Sequence, residues 1–216
     1  KLKHQQTWRA LEATADEITR IRRESAKKLE RLIRENLVDL NFLDVQFEIA
    51  FQELEMPGEG GRDEICFLIS TNPGMPLRPL KDVASGGELS RIMLAIKAVL
   101  ADQDDVGTLI FDEIDTGISG RTAQKVSEKM AVLSSTRQII CITHLAQIAS
   151  MADHHFLIEK RQEEGTTRTS IQPLSEEESV QELARILGGA RITETVLEGA
   201  REMKDLAKKL KNQKGA

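Results

Sequence analysis

Three short strings combine residue types that could act together on a phosphate. Asp112 and Glu113 close the apolar run Thr108 to Phe111 in TLIFDEIDTGISG. If that run is a strand, both carboxylates stand at its carboxyl end, the edge where open α/β sheets hold ligands. Adjacent carboxylates there divide the labour of nucleotide hydrolysis. Asp112 can hold Mg²⁺ directly or through its water, and Glu113 can orient and deprotonate an attacking water. In IICITHLAQ a second apolar run ends at Thr143 and His144. A histidine closing a neighbouring parallel strand faces the same crevice, where it can hydrogen-bond a γ-phosphate or the attacking water. Upstream, ASGGELSRIMLAIKAVL reads as a helix, with Leu89, Ile92, Met93, Ile96, Val99 and Leu100 at helical spacing. Ser85 and Glu88 make a capping box at its start. That box does not account for Gly86 and Gly87, each of which costs a helix about 1 kcal/mol relative to alanine. Bare backbone N–H groups at a helix N-terminus are an anion site, and glycines let a phosphate approach closely. Each string also has a plain reading: a solvated strand end, a structural histidine, an ordinary cap.

The surrounding pattern supplies the elements that must position these residues. Gln5 to Leu40 reads as one long helix without Gly or Pro. Trp8, Ala15, Arg22, Leu29 and Asn36 fall on one heptad position, and Leu11, Ile18, Ser25, Leu32 and Asp39 on the other. The seam suits a coiled-coil arm, apolar at its ends and polar in its middle. Arg20, Arg22, Arg23, Lys27, Lys28, Arg31 and Arg34 crowd its second half, as a solvated face or as a stripe for phosphates. VQFEIAF and EICFLIS read as strands joined by the Gly- and Pro-bearing EMPGEGGR, and TNPGMPLRPLK reads as loop. From Ser85 onward helices and strands alternate. Strands are expected at 108–111, 138–142 and 155–159, and helices at 120–133, 145–151, 176–187 and 192–210. Glu164 to Ser170 reads as a polar turn. Strands apolar on both faces predict a parallel sheet covered on both sides.

Composition narrows the classes. The 216 residues carry a net charge of −5, which argues against a protein coated in positive potential but leaves room for a local basic patch. Aromatics are 3% with no tyrosine, so the core must rest on Leu, Ile, Val and Ala. Cys66 and Cys141 lie in apolar runs with no metal spacing, and are expected to be buried free thiols of a reducing compartment. No apolar run nears the roughly 20 residues a membrane helix needs, and no signal peptide is visible. The sequence starts at Lys1 inside a helical pattern and reads as a piece of something longer.

In their order, SGGE opening a helix, a strand ending in Asp-Glu, Asp115, then a strand before His144, the strings resemble the C-terminal half of an ABC-type ATPase head. A helical arm entering just before it resembles the SMC-like branch. ISTNPGMPLRPLKDVASGGELSRIMLAIK, LIFDEIDTGISGRTA, ICITHLAQIASMADHHFLIEK and ELARILGG resemble the RecN family of bacterial SMC-like DNA-repair ATPases, from about Asp39 to Gly189 and more loosely through the arm.

The resemblance implies an α/β head lobe, with a parallel sheet flanked by helices, at 41–216 and the end of a coiled-coil arm at 1–40. Ser85, Gly86, Gly87 and Glu88 match the signature motif, which contacts the γ-phosphate bound to the opposite head. Asp112 matches the Walker B aspartate that holds metal, Glu113 the catalytic glutamate, Asp115 the D-loop aspartate of the dimer interface and nucleotide site, and His144 the catalytic switch histidine. Arg91 either faces the partner and phosphates or is a plain surface arginine. The implied cofactors are ATP and Mg²⁺. No G-x-x-x-x-G-K-[ST] string occurs, so the phosphate cradle is expected on an N-terminal half. The implied partners are that half, a second copy of the head and DNA, in the bacterial cytoplasm at the nucleoid, with no membrane. ATP would close two heads and hydrolysis reopen them, in double-strand-break repair and recombination. The alternatives are the head of another SMC or ABC ATPase, or a non-catalytic DNA-holding dimerisation module.

Overall fold

The computed structural model describes residues 2–83, 85–163, 166–189 and 191–214. The chain forms two compact units, Lys1–Asp104 and Asp105–Ala216. The long first helix packs on the next strands and helix of its own unit.

In the first unit, helix α1 spans Leu2–Asp39. Strands β1 (Gln46–Gly58) and β2 (Gly61–Ser70) form an antiparallel hairpin, with β3 (Arg78–Pro79) on the outer edge of β2. A 3-10 turn at Leu80–Asp82 precedes helix α2, Gly86–Val99. The proline-rich loop thus contains a short paired strand. Helix α1 ends in a Schellman motif: the Phe42 N–H donates to the Leu37 carbonyl at 3.1 Å and the Asn41 N–H to that of Val38 at 3.0 Å. Asn41 takes the left-handed conformation this motif requires, with φ 72°.

The buried stripe of α1 runs through Ala15, Ala26, Ile33 and Leu37, and packs on β1, β2 and α2. Of the two expected heptad series, the one holding Ala15, Arg22, Leu29 and Asn36 turns inward, while Leu11 and Leu32 of the other stay exposed. Several cations of the basic run serve this packing. Asp63 on β2 accepts from the Thr19 hydroxyl at 2.8 and 2.9 Å and from Arg22 at 3.2 Å. The Arg23 guanidinium lies 5.3 Å from the centre of the Phe51 ring. Arg20 pairs with Glu17 and Glu24, and Arg31 with Glu35, along the exposed face. Glu30 also accepts the Ile49 N–H at 2.7 Å, satisfying an edge group of β1.

In the second unit, β4 (Thr108–Phe111) and β5 (Gln138–Cys141) are parallel, joined by α3 (Gly120–Leu133). The short α4 (Ala146–Ala149) leads to an antiparallel hairpin of β6 (Phe156–Glu163) and β7 (Thr166–Pro173), then α5 (Glu176–Gly188) and α6 (Glu194–Lys214). Two expectations change here. The strand beginning near His155 pairs with β7 rather than extending the parallel pair. Most of the expected turn at 164–170 is β7 itself, while Glu164 and Gly165 lie outside the described residues. The described residues also do not cover the sheet on both sides: Ile110, Ile140 and Ile142 remain 68%, 44% and 49% exposed.

Helices α4, α5 and α6 share a core of Ala146, Ala149, Leu183, Ala184 and Ala200, ringed by Val180, Ile186, Val196, Leu197 and Met203. The Gly188-Gly189 break has a steric cause. A Cβ at Gly188 would lie 3.1 Å from a Val196 methyl, and Gly189 caps α5 at φ 64°. Beside this core sits a buried polar relay. The Lys204 ammonium donates to the Ser179 hydroxyl at 2.6 Å, and that oxygen lies 2.8 Å from His155 Nδ1. A neutral imidazole lets Ser179 accept from Lys204 and donate onward to Nδ1.

Burial, and then the nearby Lys204 charge, hold the His155 imidazole below its ordinary value; Glu182 opposes them. The folded chain therefore binds this proton less readily than the unfolded one. The histidine's contribution is complete above the ordinary value of about 6.5 and declines as pH falls through it toward the lower folded-state value. Melting temperature should drop by a few degrees from about pH 7.5 to about 5.5, and drop less in His155→Asn, whose amide oxygen still accepts from Ser179. Parallel melting curves for the two chains would remove His155 as the cause.

Candidate active site

In the first unit, Ser85 takes the extended conformation of an N-cap, and its hydroxyl accepts the Glu88 N–H at 3.4 Å. The N–H groups of Gly86 and Gly87 belong to the first turn, which no helix pairs internally. Ser85 and Gly86 are exposed and Gly87 is buried. Ile92, Leu94, Ala95 and Ile96 bury the other face of α2 and fix its direction. Arg91 is buried with them, its guanidinium 5.5 Å from the centre of the Phe42 ring. Burial lowers its pKa, and Glu88 opposes the shift. Its guanidinium ties α2 to the turn that ends α1.

In the second unit, the parallel register places Phe111 opposite Cys141, so the segments leaving β4 and β5 emerge side by side. The Ile142 N–H extends the ladder by donating to the Phe111 carbonyl at 3.0 Å. Asp112 and Glu113 are both exposed, whereas Ile114 and Asp115 are buried. Glu113 makes this possible by adopting φ 56°, a left-handed conformation uncommon for a residue with a side chain. Its N–H donates to Asp112 Oδ1 at 2.9 Å, which orients the Asp112 carboxylate against the Glu113 backbone. Such backbone strain, of order 1–3 kcal/mol, gathers at functional sites.

Asp115 is 3% exposed and points into the unit. Its Oδ2 accepts the Thr143 hydroxyl at 2.6 Å and the His144 N–H at 2.8 Å, and lies 3.0 Å from His144 Nδ1. The Thr143 oxygen in turn accepts the Leu145 N–H at 3.0 Å. Asp112, Glu113, Asp115 and His144 are thus assembled at one sheet edge, with Thr143 as a link that sequence reading noticed only as the neighbour of a histidine.

The same edge sets the chemistry of Cys141. Burial, reinforced by the Asp115 and Asp112 charges, pushes its thiol up to about 12, so it stays protonated. Both cysteines are free as expected, but Cys66 is exposed on the β1–β2 hairpin and Cys141 is half-buried.

Among the described residues no three His, Cys, Asp or Glu side chains are grouped to hold a metal. A Mg²⁺ that arrives with a nucleotide needs only one or two protein carboxylates beside phosphates and waters. Exposed Asp112 fits that requirement. Among the described residues no helix is long and apolar enough to cross a membrane.

No protein-family model matches the chain. It is 43% identical over 205 residues to the DNA repair protein RecN of Halalkalibacterium halodurans, covering 93% of this chain and 36% of that one. It is 42% identical over 212 residues to RecN of Bacillus subtilis, covering 91% and 37%. The chain therefore spans about a third of the length of these relatives. Its fold is similar to a crystal structure of an Smc head domain with a coiled coil and joint from Pyrococcus yayanosii, with a TM-score of 0.52 at 21% identity over 76% of this chain and 29% of that one.

Proposed function

We propose that this RecN-like chain is the C-terminal lobe of an SMC-type ATPase head with the end of its coiled-coil arm, acting in DNA double-strand-break repair and recombination. The observation that carries the reading is the shared edge of β4 and β5, where Asp112 and Glu113 leave one strand and His144 leaves the next in register. Glu113 is the general base: it takes a proton from the attacking water as the water's oxygen bonds to the γ-phosphorus and the β–γ bridging bond breaks. Asp112 holds Mg²⁺, which when bound neutralises charge on the phosphates. His144 lies beside the same crevice. Ser85, Gly86, Gly87 and Glu88 serve a nucleotide held by a second head, where the uncovered N–H groups of α2 meet its γ-phosphate.

The phosphate cradle lies on an N-terminal half. The open faces of Ile110, Ile140 and Ile142 support that arrangement, since strands apolar on both sides want a covering layer. Binding of ATP closes two heads and hydrolysis reopens them while the arms engage DNA at the nucleoid. Arg22 and Arg23 are occupied in packing, so any phosphate stripe on α1 rests on Lys27, Lys28 and the exposed Arg20, Arg31 and Arg34.

Ser85→Arg tests the proposal at its least local point. The helix loses a cap worth about 1 kcal/mol, so the fold should survive with its melting point lowered by a few degrees. ATP-dependent dimerisation of the head, completed by its N-terminal half and followed by light scattering, should fall at least about tenfold, because an arginine side chain occupies the phosphate's approach. Undiminished dimerisation would leave Ser85 as a helix cap and nothing more.

A further inference from the structure

We propose that the second half of α6 is a pH-sensitive latch: protonation of His155 drives the Lys204 ammonium off Ser179 and frees the helix from Lys204 onward. The device lies within the second unit and needs no nucleotide.

The two halves of α6 are held by different forces. Val196, Leu197, Ala200 and Met203 pack into the core shared with α4 and α5. From Lys204 onward, the buried side chains among the described residues are those of Lys204 and Ala207. This part is held instead by a stripe of ammonium groups about one turn apart. Lys204 donates to Ser179, Lys208 pairs with Glu176 at 2.5 Å, and Lys211 pairs with Asp153 at 2.6 Å. Ion pairs that reach solvent contribute little, so the buried contact of Lys204 decides whether this half stays down.

The seat of Lys204 tolerates one charge. Ser179 is 1% exposed, and its oxygen meets Lys204 Nζ at 2.6 Å and His155 Nδ1 at 2.8 Å. The two nitrogens therefore lie no more than roughly 5.4 Å apart. Whichever nitrogen of the neutral ring bears its proton, a charged imidazole faces the ammonium across one buried hydroxyl, where salt screens little. The carboxylates facing the pair are already engaged. Glu182, beside His155, accepts two guanidinium bonds from Arg185 at 2.6 and 2.7 Å. Glu176 and Asp153, which support Lys204, hold Lys208 and Lys211. Burial first of all lowers the Lys204 pKa; Lys208 and Lys211 add to the shift, and Glu176 and Asp153 oppose it.

Of the three members, Lys204 is the one able to leave. The His155 carbonyl accepts the Leu174 N–H at 2.9 Å, which ties it to the exit of β7. Ser179 stands at the start of α5, behind the capping box of Ser175 and Glu178. Lys204 has a flexible stem on the weakly packed half of its helix. Its departure lets the imidazole recover its ordinary value of about 6.5. The open form therefore gains on the closed one as pH falls below that value, by up to about tenfold per pH unit.

Amide hydrogen exchange of the full-length protein, N-terminal half included, tests the latch by comparing pH 7.5 with pH 5.5 after correction for intrinsic rates. Carboxylates ordinarily stay ionised over this range, so imidazoles are the side chains that change charge. Amides from Asp205 to Lys211 should lose about five- to tenfold in protection at the lower pH, while those of α3 and of Val196 to Ala200 change less than about twofold. The loss should vanish in His155→Asn, which cannot gain the charge, and in Lys204→Met, which has none to repel. Equal protection at the two pH values overturns the proposal. An equal loss in α3 overturns it too, since the change would then be global. A loss that persists in folded His155→Asn or Lys204→Met does the same. If either variant fails to fold, the comparison within the unaltered protein still decides.

Discussion

Glu113→Gln is expected to lower ATP turnover of the completed head by about a thousandfold while ATP remains bound and closed dimers accumulate. The substitution is nearly isosteric, and Glu113 is exposed, so the fold should not register it. Its left-handed backbone and the N–H bond to Asp112 are main-chain features that glutamine keeps. What disappears is the carboxylate proposed to accept the water's proton. Single-turnover kinetics with purified protein would read the chemical step directly. Turnover within about tenfold of the unaltered enzyme would mean that another residue is the base. It would also mean that the strain at Glu113 serves only to turn the chain out of β4.

The second large effect concerns the chain on its own. A triphosphate is held mainly by a Walker A loop, through its backbone N–H groups and a lysine. This sequence has no such string. It supplies instead two exposed carboxylates at one sheet edge, Asp112 and Glu113, which repel a polyanion unless a cation intervenes. The isolated chain should therefore hydrolyse no ATP and bind Mg-ATP no tighter than about 1 mM, or roughly −4 kcal/mol. Adding the N-terminal half, in cis or as a separate chain, should restore turnover.

Much of the edge that carries these expectations is legible in the sequence. Helix α3 falls at Gly120–Leu133 as read, because Ser119 and Gly120 open a clean amphipathic run. The strands at 108–111 and 138–141 stand out as short apolar runs, and α/β alternation alone implies that they lie parallel. Strand β7 was missed because it is exposed: with nearly every residue facing solvent, hydrophobic periodicity says nothing, and only Thr166, Thr167, Thr169 and Ile171 hinted at extended chain. Cys66 misled for the converse reason. Its run is apolar, but the period of two turns it outward opposite Ala50.

Long-range polar contacts left no local trace. Nothing near Arg91 announces the Phe42 ring, and nothing near Asp63 announces Thr19 and Arg22. Thr143 reads only as the residue that follows a strand, and nothing beside it announces the bond of its hydroxyl to Asp115. The heptad pattern on α1 did mark an apolar seam, but a seam has no label for its partner. Part of it is spent on the hairpin of the same unit, which is why the compact units divide after Asp104.

Titration calorimetry of Mg-ATP into the isolated 216-residue chain, repeated with the N-terminal half present, tests the half-site account most directly. The account predicts no heat of binding below about 1 mM for the chain alone, and saturable binding at least about a hundredfold tighter once the half is added. A micromolar dissociation constant for the chain alone would reveal a complete phosphate cradle within these residues and contradict it.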